Sequence, residues 1–184
     1  MKDYLWLLRS PTSLTELRSD YCVGIIDKAF QARNPSEHHI IEAHPTVLQR
    51  MKTDGWYDKP GITIHEGQWQ EIVPMMFEKG TLFDAVYFDT FAEDYKDFRA
   101  FFSENMVGLL GDGGRWGFFN GLGADRQICY DVYRKVVEMD LFEAGFDVEW
   151  ETIRVPEMDE EWTGMKRRYW HVPEYKLPTC TFLV

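Results

Sequence analysis

Residues 83–90 read Phe83-Asp84-Ala85-Val86-Tyr87-Phe88-Asp89-Thr90. The run is almost continuously apolar up to Phe88 and then stops on a carboxylate and a hydroxyl. Such a run suits a central parallel strand covered on both faces. The Asp89-Thr90 step then marks the strand's carboxyl end, where open α/β sheets bind their ligands.

Upstream of this strand, apolar patterning alternates between short runs and helical spacing. Residues 62–65 predict a strand and 69–77 a short helix. Residues 39–42 predict a buried strand closing on Glu42. Pro45 then opens a helix with Val47, Leu48 and Met51 on one face, and Asp54-Gly55 ends it. Residues 24–33 have helical spacing through Ile25, Ile26, Ala29 and Phe30. Residues 1–20 read differently. An apolar stretch, 4–8, is broken by Ser10-Pro11-Thr12, and 14–18 suit a helix start capped by Ser13. No strand of normal length is predicted before Gly24.

Downstream, 98–110 predict a helix, 111–114 a glycine-rich turn and 115–120 a strand. Residues 125–144 predict a long helix with Ile128, Val132, Val136 and Leu141 toward the core, closed by Gly145. Residues 148–155 and 180–184 predict two strands with a polar, aromatic loop, 156–175, between them. With no amphipathic helix to cross over, these two should pair as an antiparallel edge hairpin. The fold class is therefore α/β, a mostly parallel doubly wound sheet ending in that hairpin.

Composition bounds the function. The 184 residues, 45% hydrophobic and 28% charged, suit one folded domain. The formal net charge of −11 argues against a nucleic-acid groove and favours a cationic partner. Lys166, Arg167 and Arg168 form the one tight basic run, read as a local face. Cys22, Cys129 and Cys180 have no CxxC spacing, so neither a disulfide framework nor a zinc site is expected, and a cytoplasmic or nuclear location is. There is no membrane-length apolar run and no HExxH, GxSxG or P-loop pattern, so no metal and no nucleophile are expected.

The strand ends supply the candidate site. Glu42, followed by Ala43 and His44, could accept hydrogen bonds from the two hydroxyls of a ribose, or be a solvated strand-end acid. Trp69 beside Gly67 could stack on a base with Gln70 at its edge, or simply pack the helix start against the sheet. Asp89 has apolar walls behind it and could grip a guanidinium or take a proton from a nitrogen being alkylated. Two acids, a glycine-aromatic step and no nucleophile describe a nucleoside-cofactor site, leaving hydride and methyl transfer both open. A nicotinamide oxidoreductase would require a GxGxxG after the first strand, which is absent.

Longer motifs narrow this. Gly24-Ile25-Ile26-Asp27, Glu42-Ala43-His44-Pro45, Met51-Lys52-Thr53-Asp54-Gly55-Trp56-Tyr57 and Glu66-Gly67-Gln68-Trp69-Gln70 occur in order. They are followed by Tyr87-Phe88-Asp89-Thr90-Phe91 and by the stretch from Phe118 through Asn120-Gly121-Leu122-Gly123 to Arg126. From about residue 21 onward the chain resembles the fungal-type protein arginine N5-methyltransferases, relatives of guanidinoacetate N-methyltransferase. The resemblance implies a Rossmann-like class I methyltransferase domain over 21–184 after an atypical segment 1–20. It implies S-adenosylmethionine as cofactor and the delta nitrogen of a protein-bound arginine as acceptor. Cofactor contacts would come from Gly24, Ile25, Ile26, Glu42, Ala43, His44, Trp69, Gln70 and Asp89. Asp89, Thr90 and Asn120 would meet the substrate, with Asp89 catalytic. No membrane or nucleic-acid partner is implied. The departure is N-terminal: the family's glycine-rich turn is reduced to Gly24, with Asp20, Tyr21, Cys22 and Val23 before it, and the first strand is missing or replaced by 14–18. The alternative this raises is an impaired methyltransferase-like fragment that acts at most as a protein-binding module.

Overall fold

The computed structural model describes residues 4–9, 25–89, 94–155 and 170–184, with 4–9 and 25 by their backbone alone. The chain forms two compact units, Met1–Trp116 and Gly117–Val184.

The first unit is a five-stranded α/β sheet in the order β3-β2-β1-β4-β5. Its elements are β1 (Tyr4–Arg9), α1 (Ile25–Gln31), β2 (Glu37–Glu42), α2 (Pro45–Thr53), β3 (Ile62–Glu66), α3 (Trp69–Glu78) and β4 (Phe83–Phe88). Then come α4 (Tyr95–Ala100), a π-helical turn (Phe101–Asn105), α5 (Met106–Leu109) and β5 (Leu110–Phe118), which runs across the unit boundary. β2 and β3 are parallel, in the register Ile40 opposite Ile64 and Glu42 opposite Glu66.

The place between β2 and β4 is where the sequence reading fails. β1 fills it, running antiparallel to both neighbours, with Tyr4 opposite Glu42 and Leu5 opposite Phe88. Six residues suffice to pair both edges and remove two rows of unpaired backbone groups. A short apolar run closed by Ser10-Pro11-Thr12 shows no alternation that marks a strand, and its partners lie far along the chain, so local patterning gave no cue to it. The chain leaves β1 at Arg9, opposite Glu37, at the end of the sheet away from Glu42. The expected first helix at 14–18 lies outside the described residues.

Helices cover both faces. On one, Phe30 of α1 and Val47 and Met51 of α2 pack with Ile40, Trp56, Ile62, Ile64, Ala85 and Tyr87. On the other, Phe88 stacks on Phe101 at 4.2 Å and on Phe98 at 5.5 Å, with Trp69 edge-on to Phe88 and Phe101. Alternate residues of β4 thus feed opposite layers. The π-helical turn lets the consecutive Phe101 and Phe102 both lie fully buried. The expected glycine turn at 111–114 is instead part of β5. Glycine weakens a strand, which is why the residues read as a turn, but pairing overrides propensity here.

The second unit holds α6 (Gln127–Glu143), β6 (Phe146–Arg154) and β7 (Glu174–Phe182). β6 and β7 pair antiparallel from Phe146 opposite Phe182 to Arg154 opposite Glu174, as the hairpin reading expected. β7 begins before Pro178, earlier than predicted, and Pro178 sits opposite Trp150. Of the four residues predicted to face inward from α6, only Leu141 does so. Tyr130, Val137 and Leu141 are buried, whereas Ile128, Val132 and Val136 are exposed. Apolar residues surround this helix, so spacing alone does not choose the face. No helix among the described residues is long and apolar enough to cross a membrane.

Candidate active site

The registers align three strand ends in the first unit. Glu66 stands opposite Glu42, Glu42 opposite Tyr4, and Leu5 opposite Phe88. Glu42 and the β4 end are therefore two strand spacings apart, roughly 10 Å. That span suits a ligand of nucleoside size.

Glu42 is fully buried, and its carboxylate accepts the backbone N–H of His44. Its carbonyl accepts the N–H of Gly67, which ties the β3–α3 turn to the end of β2. Gly67 has φ +153°, and a Cβ there would lie 3.2 Å from Ile72 Cδ1, so the turn needs glycine. Ala43 is half-buried. His44 is the N-cap of α2: its imidazole Nδ1 accepts from Thr46 N–H at 3.3 Å, doing the work of the usual Ser or Asp. Ile26 packs against the α1–α2 core.

Trp69 is buried, edge-on to Phe88 and Phe101 at 5.8 and 5.2 Å, and Gln70 is exposed beside it. The indole thus packs the helix start onto the sheet while standing next to the rim. Asp89 is half-buried one residue beyond Phe88 and its aromatic stack. Burial pushes its carboxyl up to about 6, because an ionised carboxylate loses its hydration there. It has no hydrogen bond to the described residues. A cation placed beside it would restore the charged form. Gly24 and Thr90 lie outside the described residues, and Ile25 opens α1.

Asn120 lies in the second unit. Its Nδ2 donates to Tyr130 Oη at 3.0 Å and to the Lys176 carbonyl at 3.1 Å, and its N–H donates to Tyr175 Oη at 3.0 Å. Lys176 N–H also donates to Tyr130 Oη at 2.9 Å. The side chain thus braces the β5 end against α6 and β7.

The sequence reading assigned no role to Lys52, Tyr57 and Glu66, though all three stand in the motifs. Tyr57 Oη donates to Glu66 Oε1 at 2.7 Å, and Lys52 Nζ lies 3.0 Å from the same oxygen. The Tyr57 hydrogen bond and then Lys52 hold the Glu66 carboxyl below its usual range. Burial and Glu66 raise the Tyr57 phenol. The spacing of an acid at the end of β3 from a Lys-Tyr pair in the preceding connection was the available signal.

A sequence model of the guanidinoacetate N-methyltransferase family matches residues 14–181. The chain belongs to this family. The motif resemblance and the α/β class are thereby confirmed, while the place of the first strand is taken by Tyr4–Arg9 and not by 14–18. The chain is 59% identical over 172 residues to "Protein arginine N-methyltransferase 2" of Aspergillus fumigatus, covering 94% of this chain and 41% of that protein. The protein of the same name in Aspergillus oryzae is 58% identical, over 94% and 42% of the two chains. That in Yarrowia lipolytica is 50% identical, over 90% and 36%. The chain thus spans about two-fifths of the length of the relatives it matches. Among solved structures, the precorrin-6y C5,15-methyltransferase of Geobacter metallireducens superimposes with a TM-score of 0.48 at 14% identity, over 78% of this chain and 65% of that one. That likeness is too loose to add to the assignment.

Proposed function

We propose that this domain binds S-adenosylmethionine and methylates the delta nitrogen of an arginine in a protein substrate. The observation that carries the reading is Asp89, a half-buried carboxyl raised by burial and standing at the same rim as Glu42. The relatives' names supply the acceptor class, an arginine in a protein.

The residues fit the cofactor in kind. Glu42, whose carboxylate takes the His44 N–H, is an acceptor of the kind ribose hydroxyls need, and the exposed Gln70 is a polar group of the kind a base edge needs, with Trp69 packed beneath it. The cofactor supplies a methyl group made electrophilic by a sulfonium. Asp89 draws a guanidinium by charge and holds it in one orientation, and positioning of this kind contributes up to roughly 7–11 kcal/mol. The nitrogen that gains the methyl must lose a proton. Once the guanidinium has returned Asp89 to its charged form, the carboxylate beside the nitrogen is the group placed to take that proton.

Calorimetry with S-adenosylmethionine, followed by mass spectrometry of a methylated arginine peptide, tests this. We expect heat of binding and a product fragmenting as the delta isomer. Absence of binding at millimolar cofactor, or a terminal-nitrogen product only, overturns the reading.

A further inference from the structure

Helix α6 is apolar on two opposite faces. Tyr130, Val137 and Leu141 point into the second unit and are buried. Ile128, Val132, Met139 and Phe142 lie on the far side and are 57–73% exposed, with Val136 at their edge. At 3.6 residues per turn these four fall within one arc of roughly 80°, opposite the buried three. The stripe runs about 21 Å along the helix. Single surface apolar residues are ordinary, but a continuous stripe marks a surface that is covered in use. A helix apolar on both faces belongs in an interior. Lys135 falls within the stripe, and two 2.9 Å hydrogen bonds to the Glu138 carboxylate draw its ammonium to one side.

We propose that this outer face is a self-association surface, which pairs with α6 of a second copy of the chain, antiparallel about a two-fold axis near Lys135. Side-chain size is the first reason. The N-terminal half of the stripe carries the β-branched Ile128 and Val132, and the C-terminal half the longer Met139 and Phe142. An antiparallel pair sets Ile128 against Phe142 and Val132 against Met139, so short meets long at both ends of the seam. A parallel pair sets like against like.

Local charge is the second reason. Residues 125–135 hold Arg126, Arg134 and Lys135 against Asp125 and Asp131. Residues 136–147 hold Glu138, Asp140, Glu143 and Asp147 and no cation. Acids in the last turn of a solitary helix oppose its dipole. In the antiparallel pair each acidic end lies beside the helix N-terminus and Arg126 of the other copy. An open groove of about 340 Å³ flanks that end, lined by Met139, Phe142 and Phe146 and rimmed by Glu138, Glu143 and Asp147. It receives the other copy's Ile128 and Arg126. The Lys135–Glu138 pairs of the two copies meet at the axis with alternating sign. The basic run 166–168 lies outside the described residues. It leads in sequence to Trp170, which packs on Tyr130 near the start of α6, the end that is already the more basic. This surface is independent of the chemistry proposed above.

Sedimentation velocity on the chain, from about 1 to 200 μM, tests the pairing. We expect a monomer–dimer equilibrium with a dissociation constant of roughly 1–100 μM, as suits a small interface. Val132→Glu and Met139→Lys each bring a charge against the like-signed end of the other copy. Each should weaken association by about tenfold or more. Both sites are exposed and neither new residue is a poorer helix former, so circular dichroism and melting temperature should match the parent. An equimolar mixture of the two variants should regain association. Opposite charges then face each other across one half of the seam, while Met139 and Val132 keep the other half. A chain that stays monomeric throughout the series, a dimer unaltered by either variant, or a mixture no more associated than its parts overturns the proposal.

Discussion

Asp89 is costly to the resting protein. Its carboxyl is raised from the ordinary value of 3.8 to about 6. The folded state therefore binds the proton more tightly than the unfolded chain. The resulting stability is full below pH 3.8 and is lost as pH rises through 6. Above pH 6, Asp89→Asn should raise the melting temperature of the cofactor-free protein, by up to roughly 3 kcal/mol of stability if the whole shift is realised. Below pH 4 the two proteins should melt together. The same variant should lose methyl transfer by at least 100-fold while remaining folded. A variant that is neither more stable at pH 7.5 nor less active would remove Asp89 from the site. Tyr130 shows the opposite economy. Its hydroxyl takes hydrogen bonds from Asn120 and Lys176, and Tyr130→Phe leaves two donors facing a hydrocarbon edge. A loss of about 1–3 kcal/mol in urea unfolding is expected. A loss of a few tenths would mean that water replaces the hydroxyl.

Elements are tied together by groups that sequence reading passed over. His38 of β2 is fully buried, with Nδ1 3.0 Å from Gln31 Nε2 and Nε2 3.6 Å from Asp27 Oδ1 of α1. Burial, then His39 and Lys59, lower its pKa to about 4, so the ring is neutral in the fold. The unfolded chain protonates near 6.5 and the folded one near 4. This stability is complete above pH 6.5 and drains as pH falls through 4, on the order of 3 kcal/mol. His38→Gln should flatten the decline of melting temperature between pH 6.5 and 4; an unaltered slope would assign the acid lability elsewhere. The entry to α6 makes a second case. Gly123 has φ +70°, and a Cβ there would lie 2.8–2.9 Å from the backbone of Cys129 and Tyr130. Gly123→Ala should cost well over the ~1 kcal/mol expected at Gly113, which shares the positive φ but faces open space. Equal melting temperatures for the two variants would contradict this close approach. These particulars show what the sequence revealed. β4 was legible to the residue because a run buried on both faces has no competing pattern. The α2 boundaries were legible from Pro45 and Asp54-Gly55. β1 was not, because its place is set by pairing with β2 and β4, which are far from it in the chain. The inward face of α6 was not, because Ile128, Val132 and Val136 form a helical stripe as apolar as Tyr130, Val137 and Leu141. For the candidate site, the strand-end positions of Glu42 and Asp89 were legible, whereas the Lys52–Tyr57–Glu66 cluster depended on how a connection folds back.

At the scale of the whole chain, charge and proposed chemistry point the same way. The net charge is −11, and both proposed ligands carry positive charge, a sulfonium on one and a guanidinium on the other. A field of that sign steers cations toward the surface and raises their encounter rate. Salt shortens its reach to about 10 Å at 0.1 M and to less beyond. The grip of Asp89, half-buried and partly shielded from solvent ions, is screened far less than the outer field. Raising ionic strength from 50 to 300 mM should therefore lower kcat/KM for a basic arginine peptide several-fold and leave kcat nearly unchanged. An arginine peptide made net neutral by added glutamates should show a much smaller salt effect, since it gains little from the field. If both peptides respond alike, the acidic surface does not recruit substrate. If kcat falls with salt as well, the ion pair at the reaction centre is itself exposed, and the buried position of Asp89 does not govern catalysis.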